Sequence, residues 1–406
     1  MTALQPAPAP TPALLAAVRW VPRGIALTAF ALYALAAPPG PYWLDSSELS
    51  AAAARLGSPH PTGFPLYAVV ARVGAYLPFG EIAFRMHLVS AGCAALAILW
   101  LQRFVLAVAR GGRVADARRG SGGEAAALAG AAAAGLTLAL SFTFARQATV
   151  AEVYAPTAAL LAAALWLFQR AARGHDPRAG LTLALVCGLG LASHTGFAWI
   201  GVPVAALCVV RLRRGARWPL LAPLLALAMA ASLYLYLPVR AASGRTWDVD
   251  WGHPRDLGAL ADHVSARRIR DAYADEMRST NGAVVRIHAG RFAGDAGDQL
   301  GPLGLVAALG GLICLGRSRG DRWAGAALVA VGVGDAVYSI WINPMGQRDL
   351  QNGVPLALAV AAAAGVGVAW LARQTGRVAP FAGGALALLV AFPAAAVTWP
   401  ELWPGA

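Results

Sequence analysis

Residues 353–372 read GVPLALAVAAAAGVGVAWLA and contain no charged side chain. A helix that crosses the hydrocarbon core of a bilayer needs roughly 20 consecutive, mostly apolar residues. By that criterion we predict about eleven spanning helices in the chain. Their ranges are 24–43, 86–109, 125–145, 156–172, 179–193, 195–211, 218–238, 302–316, 323–342, 353–372 and 380–399. The sequence therefore predicts an all-α polytopic membrane protein.

Composition supports this class and excludes others. The chain is 58% hydrophobic and 13% charged, whereas a soluble domain carries about a quarter charged residues. The net charge is +13 and every basic residue is Arg. Because these Arg residues lie in short loops between apolar runs, we expect no nucleic-acid partner. The four cysteines form no CxxC pair, and the chain has no Walker, dinucleotide, HExxH or GxSxG motif. A disulfide framework, a zinc site and a nucleotide-driven enzyme are therefore not expected.

Loop charges predict an orientation and four regions. Arg residues precede the first span and follow each even-numbered span, so the positive-inside rule places those loops in the cytoplasm. Residues 1–18 are rich in Pro and Ala and are predicted to be a disordered cytoplasmic tail. Residues 19–238 would hold spans one to seven, with a long first outer loop at 44–85. Residues 239–300, with balanced charges, would form a small helical outer-face segment, and 301–406 would hold spans eight to eleven.

The first outer loop contains an apolar run from Pro65 to Phe79 that is too short to span. Pro65 suits the first position of a helix, and Pro78 suits its end. This run is either a helix that lies in the outer interface or a simple packing helix. In the first case it would shape the route by which a lipid headgroup reaches the protein.

Two carboxylates, Asp45 and Glu48, follow the outer end of the first span. A carboxylate at the membrane–water boundary can act as the base that deprotonates an acceptor hydroxyl during glycosyl transfer. The same spacing also suits a capping box, with Asp45 as N-cap, Glu48 three residues later, and Ala51 to Leu56 as the capped helix. The spacing alone leaves both interpretations open, and a capping role does not exclude catalysis.

Other polar residues of the outer face are candidates for substrate binding. His60 lies between two prolines, where it is held rigidly and could bind a phosphate or an acceptor, or be structural. Ionisable groups near membrane depth are costly and therefore functional candidates. The Arg residues among them could neutralise a carrier phosphate or only anchor the helices at the interface. These candidates at helix ends are Arg146, Glu152, Tyr154, His194, Arg240, Arg348 and Asp349.

The run from Asp45 to Tyr67 resembles the opening "DSGE … LGxxHPPGYPLY" of the DUF2723 family, which includes TMEM260-type protein O-mannosyltransferases. Ser47 stands for Gly, Thr62 for Pro and Phe64 for Tyr. The opening run adds Tyr67 to the substrate-binding candidates. Later segments resemble the family in the same order, and they add Trp251. These segments are AEVY at 151–154, SHT at 193–195, YLPVR at 236–240, DWGHP at 250–254 and QRD at 347–349.

The resemblance implies a GT-C glycosyltransferase architecture. It implies that an acid of the first outer loop, Asp45 or Glu48, is the catalytic base. It also implies a polyprenyl- or dolichyl-phosphate sugar as the donor. No metal cage is evident in the sequence, although a divalent metal could help neutralise the phosphate.

The sequence thus predicts transfer of mannose or a similar hexose from a polyprenyl-phosphate carrier. The acceptor would be a hydroxyl of protein Ser/Thr or of a glycan, and the site would face the periplasmic side of a bacterial inner membrane. The alternatives are a transporter or flippase for a lipid-linked or polar solute, and an inactive scaffold. The halves of the chain show no matching broken helices, which disfavours the transporter.

Overall fold

The computed structural model describes residues 10–111, 121–174, 177–244, 249–274, 282–347, 351–375 and 379–402. Every regular element in these ranges is helical, and the strand-like pairing there is a single isolated bridge between Ser58 and Asp250. The prediction of an all-α protein is therefore confirmed.

The described residues form seventeen α-helices, α1 to α17 in chain order. The first eight are α1 (Pro12–Ala36), α2 (Asp45–Arg55), α3 (Pro65–Ala71), α4 (Ile82–Gly111), α5 (Ser121–Ala139), α6 (Phe142–Thr149), α7 (Tyr154–Arg173) and α8 (Pro177–Leu191). The next five are α9 (Gly201–Arg213), α10 (Trp218–Tyr234), α11 (Tyr236–Ala242), α12 (Leu257–Val264) and α13 (Arg267–Ala272). The last four are α14 (Gly282–Arg317), α15 (Arg322–Val337), α16 (Val354–Gln374) and α17 (Ala379–Leu402). Short 3₁₀ turns lie at Arg72–Tyr76, Thr195–Ile200 and Pro344–Gln347, and a π turn at Tyr338–Ile342.

Within the described residues, 7 helical stretches are long and apolar enough to cross a membrane, or up to 9 if each of two bent pairs is one span. The chain is therefore an integral membrane protein. The predicted count of eleven is higher than this. One reason is that α8 has only 15 residues, which is short for a span. The two bent pairs, α6 with α7 and the two halves of α14, turn by 120° and 94°. Broken helices therefore occur in both halves of the chain, which the sequence did not indicate, and their predicted absence is not an argument against a transporter.

Small residues let the central helices approach closely. A Cβ on Gly130 of α5 would lie 2.3 Å from the carbonyl oxygen of Gly365 in α16, and one on Gly365 would lie 2.5 Å from the carbonyl oxygen of Gly130. Gly311 of α14 meets α16 in the same way, since its Cβ would lie 1.9 Å from the carbonyl oxygen of Ala363. Close backbone packing of this kind stabilises helices in a bilayer, where water does not drive their association. It makes α16 the centre of the bundle.

The N-terminal region and the first outer loop differ in detail from the sequence predictions. Helix α1 starts at Pro12 with Thr11 as N-cap, whose hydroxyl accepts from the amide of Leu14 at 3.3 Å. Residues 12–18 therefore belong to a helix and not to the predicted disordered tail, while 1–9 lie outside the described residues. The helix predicted from Pro65 does start there, and it continues after Ala71 as a 3₁₀ turn.

Candidate active site

The first turn of α2 positions two carboxylates. Ser46 is buried, and its hydroxyl accepts from the amide of Ala151 at 3.1 Å and lies 3.5 Å from Nε2 of His87 in α4. This anchor fixes the rotation of α2 about its axis. Asp45 and Glu48, on either side of Ser46, keep side-chain exposures of 39% and 25%. The carboxylates therefore line an accessible surface, while the buried Ser46 anchors their helix to the rest of the protein.

The capping-box interpretation does not describe this helix. Its N-cap residue is Leu44, which has a positive φ of 58° and makes no side-chain cap hydrogen bond. Asp45 is the first helical residue, and Glu48 directs its carboxylate away from the helix start toward the loop that carries His60. Neither carboxylate caps the helix, so both are available for substrate binding or catalysis.

His60 lies between the two carboxylates. Its Nε2 is 3.7 Å from Oδ2 of Asp45, and its Nδ1 is 3.4 Å from Oε2 of Glu48. Its backbone N–H donates to Oε1 of Glu48 at 2.7 Å. Burial alone would lower the pKa of His60, but the bond to Glu48 and the negative charges of both acids outweigh it and raise the pKa above its ordinary value. The imidazole is therefore more readily protonated than a free histidine.

The loop that carries His60 is held by the second outer segment. The amide of Ser58 donates to the carbonyl of Val249 at 2.9 Å, and the amide of Trp251 donates to the carbonyl of Ser58 at 3.0 Å. Gly57 permits this approach, because a Cβ there would lie 2.5 Å from the carbonyl oxygen of Val249. The segments that resemble the family at 56–67 and 250–254 thus meet in space.

A row of rings continues from His60 into the protein. The centroid of His60 is 5.1 Å from that of Phe64, Phe64 is 6.1 Å from His194, and His194 is 5.0 Å from Tyr154. Burial, with the nearby charge of His60, lowers the pKa of His194 to about 4. A neutral ring is consistent with its Nδ1 accepting from the amide of Gly196 at 3.0 Å. Tyr338 of the π turn packs on the other side of His194, at 5.8 Å.

Gln351 joins the row of rings to Asp45, and the sequence did not point to it. Its Nε2 donates to Oδ2 of Asp45 at 3.2 Å, and its Oε1 accepts from the hydroxyl of Tyr154 at 3.2 Å. In the sequence, Gln351 is 306 residues from Asp45 and 197 residues from Tyr154. No spacing pattern could reveal a contact of that range, and Gln351 matched no motif.

Several predicted site residues lie apart from this cluster or support it indirectly. Arg240 donates from Nε to the carbonyl of Leu56 at 2.7 Å and from Nη2 to that of Arg55 at 3.1 Å. It therefore holds the C-terminal end of α2. Tyr67 is buried in the core, and burial raises the pKa of its hydroxyl. Glu152 is also buried, whereas Trp251 keeps an exposure of 47%.

Three predicted residues remain, one of them described and two outside the described ranges. Arg146 is half-buried in α6, near the connection that packs on Ser46. Arg348 and Asp349 lie outside the described residues. The structure therefore brings together Asp45, Glu48, His60, Tyr154 and His194 from the predicted set.

The same cluster could hold a metal ion. One ligand atom each from Asp45, Glu48 and His60 lies within 4.8 Å of the others. Two carboxylates and an imidazole make a donor set that suits Mn²⁺ or Zn²⁺ better than Ca²⁺, which prefers oxygen ligands alone. The sequence showed no metal cage because Asp45 and His60 meet only when the loop at 57–63 folds back on α2.

Residues 45–217 match the family model described as the N-terminal domain of the protein O-mannosyl-transferase TMEM260. The match begins at Asp45 and includes Glu48, His60, Tyr154 and His194. It supports a relation of this chain to the TMEM260-type family and with it a membrane glycosyltransferase. Gln351 lies beyond the matched residues.

Proposed function

We propose that this chain transfers mannose or a similar hexose from a polyprenyl-phosphate carrier to a hydroxyl of protein Ser/Thr or of a glycan. We place the reaction at the outer face of the membrane and in a GT-C architecture, as the resemblance to the DUF2723 family implies. The observation that carries this proposal is the carboxylate of Asp45. It is accessible, it is held by Gln351, and it is the first residue of the segment that matches the mannosyltransferase family.

The reaction follows from the chemistry of these groups. The acceptor oxygen attacks the anomeric carbon of the sugar while its proton passes to Asp45, and the bond from that carbon to the phosphate oxygen breaks. The carrier leaves as the lipid phosphate, and the configuration at the sugar carbon inverts. A phosphate leaves readily when its charge is offset, so no separate acid is required.

Two cationic groups, one in the site and one in α6, are suited to offset the phosphate charge. The imidazolium of His60 is favoured by the adjacent acids, and the guanidinium of Arg146 can form charge-assisted bonds with phosphate oxygens. Arg348, outside the described residues, is a third candidate. Alternatively, a divalent ion held by Asp45, Glu48 and a neutral His60 would supply Lewis-acid charge to the phosphate in place of the imidazolium.

Contact between lipid and the region of the site is supported by the apolar surface next to it. Val73 and Tyr76 in the 3₁₀ turn after α3, and Phe79 beyond it, are 62%, 73% and 51% exposed. Trp43, just before α2, is 81% exposed. Aromatic and apolar side chains of this kind favour the membrane interface. We assign this surface, formed by Trp43, Val73, Tyr76 and Phe79, to contact with the outer leaflet from which a lipid-linked donor would approach.

We expect the outer segments to react with a membrane-impermeant thiol reagent in intact cells. In a background without the four native cysteines, Glu81→Cys and Ser265→Cys should be labelled, because both positions are exposed. Arg319→Cys, also exposed but on the predicted cytoplasmic side, is the matched control and should react only after the cells are opened. Labelling of Arg319→Cys in intact cells with protection of the other two would overturn the orientation.

Replacement of two arginines should separate donor binding from structural support. Arg146→Ala should weaken binding of the lipid-phosphate sugar about tenfold or more, since it removes a charged hydrogen-bond donor. Arg240→Ala should lower the melting temperature instead, because it frees the carbonyls at the end of α2. Donor affinity measured in nanodiscs, together with thermal unfolding, checks both. Unchanged affinity in Arg146→Ala would remove it from the donor site.

Transfer of a radiolabelled sugar tests the function itself. The purified protein in nanodiscs is incubated with polyprenyl-phosphate [¹⁴C]mannose and a Ser/Thr-rich peptide or a glycan, with and without a chelator. Labelled acceptor in the absence of the chelator supports the enzyme. Loss of the label when the chelator is present indicates that the reaction needs a metal ion. Movement of the donor between leaflets without transfer would support the flippase, and binding without either would support the scaffold.

A further inference from the structure

The amide of Gln351 has its orientation fixed by its two partners. An ionised carboxylate only accepts hydrogen bonds, so the group that faces Oδ2 of Asp45 must be the NH₂. The carbonyl then faces Tyr154, whose hydroxyl must donate to it. In this arrangement both hydrogen bonds, from Tyr154 to Gln351 and from Gln351 to Asp45, are made.

Both described contacts of Asp45 use the same oxygen. Gln351 lies 3.2 Å from Oδ2, and Nε2 of His60 lies 3.7 Å from Oδ2. Neither of these contacts, both made by described residues, uses Oδ1, and we assign that oxygen to the acceptor. The three contacting elements are the connection before α16, the loop at 57–63 and α2 itself, so the carboxylate is held from different sides.

We infer that Gln351 is a positioning residue for the transfer reaction: locked by Tyr154, it orients Asp45 so that Oδ1 faces the acceptor hydroxyl. This inference rests on the proposed role of Asp45 as the base. It gives Tyr154 a role in orientation in place of direct contact with the sugar. It also ties the second half of the chain to the site, because Gln351 lies beyond the segment that matches the family.

The test changes the group that contacts the Asp45 carboxylate. Among the described residues, the titratable groups that face Asp45 are Glu48, His60 and Tyr154. Gln351→Glu is nearly isosteric and would add a second carboxylate at the distance of the present hydrogen bond. The change removes the NH₂ donor that holds Oδ2 of Asp45. A misplaced base acts on the chemical step, so kcat should fall about tenfold or more while the donor KM stays close to that of the unaltered protein.

The controls separate positioning from general disruption. Gln374→Glu makes the same change at the exposed far end of α16, the helix that follows Gln351, and should leave kcat and the donor KM unchanged. Tyr154→Phe removes only the hydroxyl that locks the amide. It should lower kcat by about tenfold with little change in donor KM, because misplacement of a reacting group acts on the chemical step. If Gln351→Glu does not fold, an unaltered kcat in a folded Tyr154→Phe variant overturns the inference.

A second readout does not depend on turnover. At a fixed pH, infrared difference spectra of the protein in nanodiscs report the hydrogen bonding of the Asp45 carboxylate through its stretching bands, identified by their loss in Asp45→Asn. These bands should shift in Gln351→Glu and stay in place in Gln374→Glu. Unshifted bands, or an unaltered kcat in a folded Gln351→Glu variant, overturn the inference. Absence of transfer by the unaltered protein counts against the proposed function, and the infrared bands then still decide whether Gln351 holds Asp45.

Discussion

Asp45→Asn should lower turnover about 10²–10⁴-fold, which is the usual loss when a general base is removed. Asn has nearly the same shape as Asp but cannot take the proton of the acceptor. Asp45 makes no cap hydrogen bond in the structure, so the change should cost the helix little. Turnover with radiolabelled donor and saturating acceptor gives the measurement, and donor affinity and melting temperature should remain close to those of the unaltered protein.

The matched control for this change is Asp256→Asn. Asp256 caps α12 in the outer segment, where its Oδ1 accepts from the amide of Ala259 at 2.8 Å. Asn serves as an N-cap about as well as Asp, so this variant should be nearly neutral in stability and turnover. If Asp45→Asn were as mild as Asp256→Asn, Asp45 would not be the base.

Much of the fold could be predicted because bilayer physics leaves a strong signal. Some apolar runs correspond to one long helix, as 353–372 does to α16 and 86–109 to α4, whereas 125–145 divides between α5 and α6. The number of spans was harder to predict. Apolar runs such as α8 are helical but short, and bends such as that between α6 and α7 are not visible in composition.

The candidate site was only partly predictable for a related reason. Asp45, Glu48 and His60 lie within one short stretch, so a motif could indicate them. Gln351 reaches Asp45 from 306 residues away, and the partners of Arg240 are backbone carbonyls, which carry no sequence signal. Tertiary contacts of this kind decide which candidates hold substrate and which hold the loop.

The role of Glu48 separates two mechanisms with the same residues. Glu48 contacts His60 twice, through the backbone N–H at 2.7 Å and through Nδ1 at 3.4 Å. If Glu48 acts through His60, it holds the loop and keeps the imidazole protonated. If it is an independent base, its contribution does not depend on His60.

We expect Glu48→Gln to lower turnover about 10–100-fold, since a hydrogen bond to a charged group contributes about 1.5–3 kcal/mol. Gln can still accept from the amide of His60, but it removes the charge that raises the pKa of the imidazole. His60 should then lose its proton at lower pH, and the alkaline limb of the pH–turnover profile should move to lower pH.

A double-mutant cycle decides between the two roles. If Glu48 works through His60, the losses in Glu48→Gln and His60→Gln should not add, because groups in one network couple. Turnover of the double variant should then be close to that of His60→Gln alone. Neither of these two variants should show the alkaline limb in its pH–turnover profile. Additive losses in the cycle, with an alkaline limb that stays in place in Glu48→Gln, would instead make Glu48 an independent catalytic group. Because Asp45→Asn would then leave a working carboxylate nearby, its residual turnover should in that case depend on Glu48.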